Sequence, residues 1–318
     1  MAEARVVVGL GVVTPLGLGL AQTAANVRAG LSAAGELDAV DGAFRRVVGC
    51  RLAAQHLGLA PVAGVPYRIL ELAALAAPAI AEARGACIDE LPCRCVVPDG
   101  VDGAHVVQRL PGLVQRATSH GRAGGLAALA AATAPLELIL AVDSLVHPRV
   151  LSELEAAGRL RTEAQAEGVV PGQAAVALLV ATRAEAERRQ LPILAVLAGS
   201  GWAQDKATST NGEACTGEGL TTALWQALGE SGPPVVAWWT AFTGERSFAA
   251  ELSATQIRSA ERTVPGLAMR HAAQALGDTG AAAGLLAVAL AICERQHPAL
   301  VTASSDDGAR AAILVAAP

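Results

Sequence analysis

Residues 6–32 read VVVGLGVVTPLGLGLAQTAANVRAGLS. An apolar run, a Thr-Pro-Leu-Gly corner and a helix-patterned segment follow one another directly. RVVVGLGVV (5–13) is continuous in apolar residues, the pattern of a strand in a sheet covered on both faces. TPLG joins a proline of fixed φ to a glycine, which predicts a tight turn. Ala21–Gly30 then carries helical spacing. The glycines invite a dinucleotide-site reading, but Thr14 stands where the third glycine of G-x-G-x-x-G belongs, so that fingerprint fails.

The same alternation runs along the chain. Short apolar strands are expected at 94–98, 136–142, 173–181, 192–200, 234–239, 299–304 and 311–317. Helices are expected at Tyr67–Arg84, Gly124–Thr133, Thr222–Leu228 and Ala281–Ile292. That is an α/β layered protein. Three segments echo three others in the same order. VVVGLGVV at the start resembles LAVLAGSGWA (194–203). GRAGGLAALAAA (121–132) resembles TGAAAGLLAVALA (279–291), and GQAAVALLVAT (172–182) resembles GARAAILVAAP (308–318). Two similar halves follow, 1–190 and 191–318, forming one compact unit. The Ala/Gly-rich helix of each half would meet its counterpart between two sheets, where large side chains do not fit.

Composition narrows the function. The 318 residues are 53% hydrophobic and 17% charged, with net charge −5, so a large core is possible and a basic nucleic-acid footprint is absent. No apolar run spans a bilayer; the longest candidate, Leu276–Cys293, contains Asp278. The opening MAEARVVVGLG lacks a signal-peptide layout, which predicts a cytoplasmic protein. Six cysteines are too sparse for a disulfide scaffold, and Cys87, Cys93 and Cys95 lack zinc-ligand spacing. No metal and no cofactor is expected.

Together these motifs resemble the β-ketoacyl synthase branch of the thiolase fold. The opening strand, TPLG turn and helix look like the family's start, and YRILELAALAAPAIAEARG (67–85) like its second-strand helix. Residues 167–205 look like the joining hairpin and crossing strand, and ALGDTGAAAGLLAVALAI (275–292) with ALVTASSDDGARAAILV (299–315) like its close. Gly30–Pro66 is the weakest stretch. The resemblance implies two similar halves in five layers, αβαβα, and a dimer paired through an edge strand.

It also implies a site: a cysteine at the N-terminus of the first central helix, where the helix end lowers its pKa and supplies an oxyanion hole, with two histidines from the second half. Each position departs. The nucleophile corner falls at QRATSHGRAGG (115–125), with Thr118 at or beside the cysteine position, and no cysteine lies nearby. Ala241 stands for the first histidine, Asp278 for the second, and Ala273 for the lysine before it. SSDDG (304–308) replaces the glycine-rich C-terminal turn. A hydroxyl is a far weaker nucleophile than a thiolate, and a carboxylate at 278 would repel a malonyl-type substrate. Ketosynthase chemistry is therefore expected to be absent.

Three functions are open at this point. The first is a non-catalytic adaptor or chaperone for a protein partner, such as a type VI secretion effector, with Trp238, Trp239 and Phe242 as candidate contacts. The second is a non-catalytic partner subunit of an active synthase, which would keep the dimer edge and near-full length. The third is an acyl-transferring or thioester-hydrolysing enzyme using Ser119, His120 and Asp278 as hydroxyl, base and orienting acid. The shortened chain and the aromatics favour the adaptor.

Overall fold

A computed structural model describes residues 5–318 except 60, 61, 86, 88, 89, 164, 207, 209, 210, 212 and 214, and except the side chains at 54 and 116–120. The first part of the chain runs β1 (Arg5–Val13), α1 (Leu20–Arg28), β2 (Ala34–Val40), β3 (Arg46–Cys50), α2 (Tyr67–Arg84), β4 (Leu91–Val97), α3 (Gly103–Val107), β5 (Leu113–His120), α4 (Gly124–Ala130), β6 (Leu136–Ser144), α5 (Pro148–Ala156), β7 (Gln173–Thr182) and α6 (Arg183–Arg188). The second part runs β8 (Ala195–Gln204), α7 (Glu218–Leu228), β9 (Ala237–Thr240), α8 (Arg246–Arg258), β10 (Met269–His271), α9 (Ala273–Leu276), α10 (Ala283–Glu294), β11 (Ala299–Ser304) and β12 (Ala309–Ala316).

The large sheet is ordered β10-β9-β11-β12-β8-β1-β7-β6-β4-β5. It is one five-strand pattern written twice. Numbered within each half, both sets read 3-2-4-5-1, and the halves meet where β1 and β8 pair antiparallel through residues 5–7 and 195–197. The GLG/GSG echo has a physical cause. A Cβ on Gly9 or Gly11 would lie 2.0 or 1.8 Å from the Ala83 or Ala79 carbonyl of α2. On Gly199 or Gly201 it would lie 2.0 or 1.8 Å from the Ala227 or Ala223 carbonyl of α7. Each first strand lets its covering helix rest on bare backbone, and only glycine permits that approach.

Strand alternation sorts side chains into layers. Leu138, Leu140 and Val142 of β6 join Ala175, Ala177 and Leu179 of β7 in an outer core under α2. Their neighbours Ile139, Ala141, Val176 and Leu178 face a central core with α4 and α10. Trp238, Leu300 and Ala312 form the opposite outer core under α7. Two outer cores and a central core that lies on both faces of the middle helix layer give the αβαβα arrangement. Helix α10 is buried from Ala283 to Ile292, which explains why it is apolar all round. It crosses α4 closely: a Cβ on Gly125 would come within 2.8 Å of Leu285 Cγ. Among the described residues, no helix is long and apolar enough to cross a membrane.

Two tryptophans are placed differently from the sequence expectation. Trp238 is fully buried, with its Nε1 donating to Thr302 Oγ1 at 2.9 Å, and Trp239 is 2% exposed in the central core. Both sit on β9, whose two faces are covered, so neither presents a surface to a partner. Phe242, just past the strand, is half-buried against His271 with ring centroids 5.1 Å apart.

Candidate functional site

Four turns converge at the N-terminal ends of α4 and α10. They are Gly121–Ala123 before α4, the segment after β9, Gly277–Gly280 before α10, and Ser304–Gly308 between β11 and β12. These are the segments the family resemblance marks as the site. The register at the first corner differs from the expectation. Thr118 lies inside β5, opposite Cys95 of β4, with Ser119 and His120 opposite Val96 and Val97. The side chains of Thr118, Ser119 and His120 lie outside the described residues. The residue that turns the chain into α4 is Arg122. Gly121 before it holds φ +73°, and a Cβ there would lie 2.8 Å from Ser305 Oγ, so the corner requires glycine.

Arg122 is 5% exposed and Asp278 is 2% exposed. The Arg122 Nε donates to both Asp278 oxygens at 3.1 Å, and its Nη1 donates to Asp306 Oδ1 at 3.0 Å. Asp306 in turn accepts from Arg159 Nη1 and Nη2, each at 3.0 Å. Arg159 also binds Glu245 in a fork, Nε to Oε1 at 2.7 Å and Nη2 to Oε2 at 2.8 Å. Thr243 Oγ1 closes the line by donating to Glu245 Oε2 at 3.0 Å. One ionic chain, Asp278–Arg122–Asp306–Arg159–Glu245, thus ties the corner segments together. Burial by itself would raise the Asp306 carboxyl; the charges and hydrogen bonds of Arg122 and Arg159 outweigh it and hold the group down at about 2.

Backbone donors at each helix end are also engaged. Ala123 N–H donates to Ser305 Oγ at 2.8 Å. Before α10, Gly280 N–H donates to Asp278 Oδ1 and Ala281 N–H to Asp143 Oδ2, both at 2.9 Å. Burial pushes the Asp143 carboxyl up to about 6, against the N–H bonds from Ala281 and Ser144 and the Arg68 charge 3.8 Å away. A cavity of about 200 Å³ opens beside this cluster, with Asp99, Asp143, Glu153, Asp306 and Asp307 among its walls and Arg68 and Arg122 as its cations. Its surplus of carboxylates disfavours an anionic substrate.

Ala241 occupies the turn after β9, with its N–H on the Thr302 carbonyl at 2.9 Å; no side chain there can take or give a proton. Ala273 starts α9 and is half-buried. The third function needed Asp278 to orient His120, but the Asp278 carboxylate is already taken up by Arg122 and Gly280. Arg122 and Asp306 lie in the marked segments QRATSHGRAGG and SSDDG, but none of Arg122, Arg159, Glu245 and Asp306 stands out there as a side chain. Their contacts span 86 to 184 positions, so no local spacing announces them.

One convergent set of possible metal donors exists among the described residues: Asp205, Cys215 and Glu251. Buried Arg310 already supplies the positive charge there, pairing with Glu251 and lying 3.9 Å from Cys215 Sγ. Arg310 also holds the Ser305 carbonyl at 2.9 Å, so this cluster steadies the same turn that caps α4.

No family profile matches the chain, and no curated protein matches it in sequence. Solved structures do match in shape. The ishigamide ketosynthase/chain length factor aligns with a TM-score of 0.79 at 16% identity, covering 99% of this chain and 99% of that one. The fold is that of the ketosynthases. The ketosynthase from module 6 of the bacillaene synthase of Bacillus subtilis 168 aligns at 0.80 and 16% identity, over 99% of this chain and 72% of its own. A type II PKS acyl-carrier protein in complex with its ketosynthase bound to the hexaketide contributes a chain aligned at 0.78 and 16% identity over 100% of both.

Proposed function

We propose that this chain is a non-catalytic ketosynthase-like subunit that works by pairing with another protein, as the partner of an active synthase. The observation that carries the reading is the ion-pair chain from Asp278 to Glu245, which fills the corner where a nucleophile and two bases would have to stand. Its groups are bound to one another and not poised for a substrate.

Two further observations favour a synthase partner over an effector adaptor. The adaptor reading rested on a short chain and on exposed tryptophans. The tryptophans are buried, and the chain spans 99% of the ishigamide ketosynthase/chain length factor chain it matches. The edge expected of a synthase partner is present: β5 is eight residues long, ends the sheet and exposes Val114. An edge strand of that length is a template for extending the sheet across an interface. Homodimer and heteromer both fit it. Two of the matched structures, one a ketosynthase/chain length factor and one a ketosynthase with its acyl-carrier protein, support a partner within acyl-chain synthesis.

The test is purification of the tagged chain from its native host, with identification of the stoichiometric partner, beside a thioester-turnover assay on the chain alone. A ketosynthase partner and no turnover are expected. A secretion effector as the stoichiometric partner would replace this reading with the adaptor. Turnover of acyl-carrier or CoA thioesters that disappears in His120→Ala would replace it with the enzyme.

A further inference from the structure

We propose a ligand site, at the opposite end of α10 from the corner, that takes an unbranched aliphatic carboxylate. The helix has 12 residues, so the two ends stand about 18 Å apart. A cavity of about 590 Å³ opens at the C-terminal end, within the size range of small-molecule sites. Its apolar wall includes Leu20, Leu194 and Ile292. Its polar groups, Cys293, Arg295 and His297, come from one short segment leaving the helix.

That segment is built at a cost. Arg295 caps α10 with φ +55°, in the left-handed region where glycine is the default and a bulky side chain is disfavoured. An arginine held in that conformation points to use of its side chain. Arg295 caps a helix end carrying roughly half a negative charge, which its full positive charge outweighs, and it lines the chamber, so the rim favours an anion. An apolar chamber with a cation at its rim matches an alkyl chain ending in a carboxylate. The carboxylate-rich corner cavity has the opposite preference.

The test uses the full chain and a series of n-alkanoates from hexanoate to decanoate, with 1-alkanols of equal length. Each buried methylene is expected to tighten Kd about fourfold, until the chamber is filled. Alkanoates should bind about tenfold tighter than the matching alkanols, and Arg295→Gln should abolish that preference while leaving alkanol binding unchanged. Decanoate should slow maleimide labelling of Cys293 and leave half-buried Cys215, remote from the chamber, at its original rate. Affinity that does not depend on chain length, or Cys293 labelling unaffected by decanoate, would overturn the site. A carboxylate preference that survives Arg295→Gln would overturn the assignment of the head group.

Discussion

Replacing Asp278 by asparagine keeps the shape of the corner and removes one charge. Arg122 is left buried, with a side chain only 6% exposed. Removing one partner of a buried pair costs about 3–5 kcal/mol, because the other charge stays uncompensated. Two features place this case at the low end. An asparagine oxygen can still accept from Gly280 N–H, and Asp306 still binds Arg122 Nη1 at 3.0 Å. The expected loss is therefore about 3 kcal/mol. A chain of 318 residues unfolds with an entropy near ~0.7 kcal/mol/K, so Tm should fall by about 4–5 °C.

Calorimetry at neutral pH measures that shift. A double variant, Arg122→Met with Asp278→Leu, removes both charges together. Replacing a buried pair by apolar groups of similar volume is often neutral, but this variant also takes the acceptor from Gly280 N–H and one cation from Asp306, so its Tm should fall, though no further than in Asp278→Asn. If Asp278→Asn leaves Tm unchanged, the pair is not the keystone of the corner. If the double variant is less stable than the single one, the corner's stability depends on the charges themselves and not on their mutual cancellation, and the reasoning fails.

Gly11→Ala and Gly201→Ala should destabilise by similar amounts, about 3 kcal/mol or more, because each Cβ would meet a helix carbonyl at 1.8 Å; unequal chemical-denaturation midpoints would deny the equivalence of the two halves. The raised carboxyl of Asp143 means that the folded chain binds its proton more tightly than the unfolded one does. Stability from this group is therefore greatest below about pH 4 and falls as pH rises to about 6, a slope that Asp143→Asn should flatten in Tm-versus-pH scans. Asp306 acts in the opposite sense: its contribution is present above about pH 4 and lost as pH falls toward 2, and Asp306→Asn should remove that acid-limb loss. Trp238→Ala should cost about 3–5 kcal/mol in unfolding free energy, since the side chain is fully buried, and a Trp238→Phe variant that still folds should keep full affinity for the partner.

What was legible in the sequence is what depends on local pattern. The apolar runs at 5–13, 136–142, 173–181 and 299–304 are central strands, because burial on both faces leaves no polar alternation to misread. Tyr67–Arg84 is a helix over the residues its spacing marks. The β2–β3 hairpin is hidden in the sequence because it is short and mostly exposed, and β5 because LVQRATSH at the sheet edge carries too many polar residues to stand out as a strand. Missing β5 also displaces the nucleophile corner. The helix expected from Gly124 does start there, but with the strand counted as loop the nucleophile position falls at Thr118, whereas the strand runs through that residue and the turn lies at Arg122. Trp238 and Trp239 mislead for a related reason: next to the turn segment TAFTGE they look terminal, but β9 continues through both to Thr240 between two strands.

Under the proposed reading, a single cysteine placed in the corner would not create a condensing site. A condensing site needs a helix N-terminus whose N–H groups are free to receive a developing oxyanion. Here the donor at α4 is engaged by Ser305 Oγ, and those leading into α10 by Asp278 and Asp143. Each acceptor is itself fixed: Ser305 through the Arg310 guanidinium on its carbonyl, Asp278 through Arg122, and Asp143 by a further N–H from Ser144. The acids lie where a helix end favours negative charge, so they stabilise the N-terminus of α10 without a ligand. Arg122, at the equivalent end of α4, would be unfavourable alone, and Asp278 and Asp306 supply the compensation. The two helix ends are thereby neutralised against each other across the corner. Replacing Arg122 by cysteine would remove that compensation and leave the Ala123, Gly280 and Ala281 N–H groups engaged, so the corner would stay a joint between the halves and not become an open site.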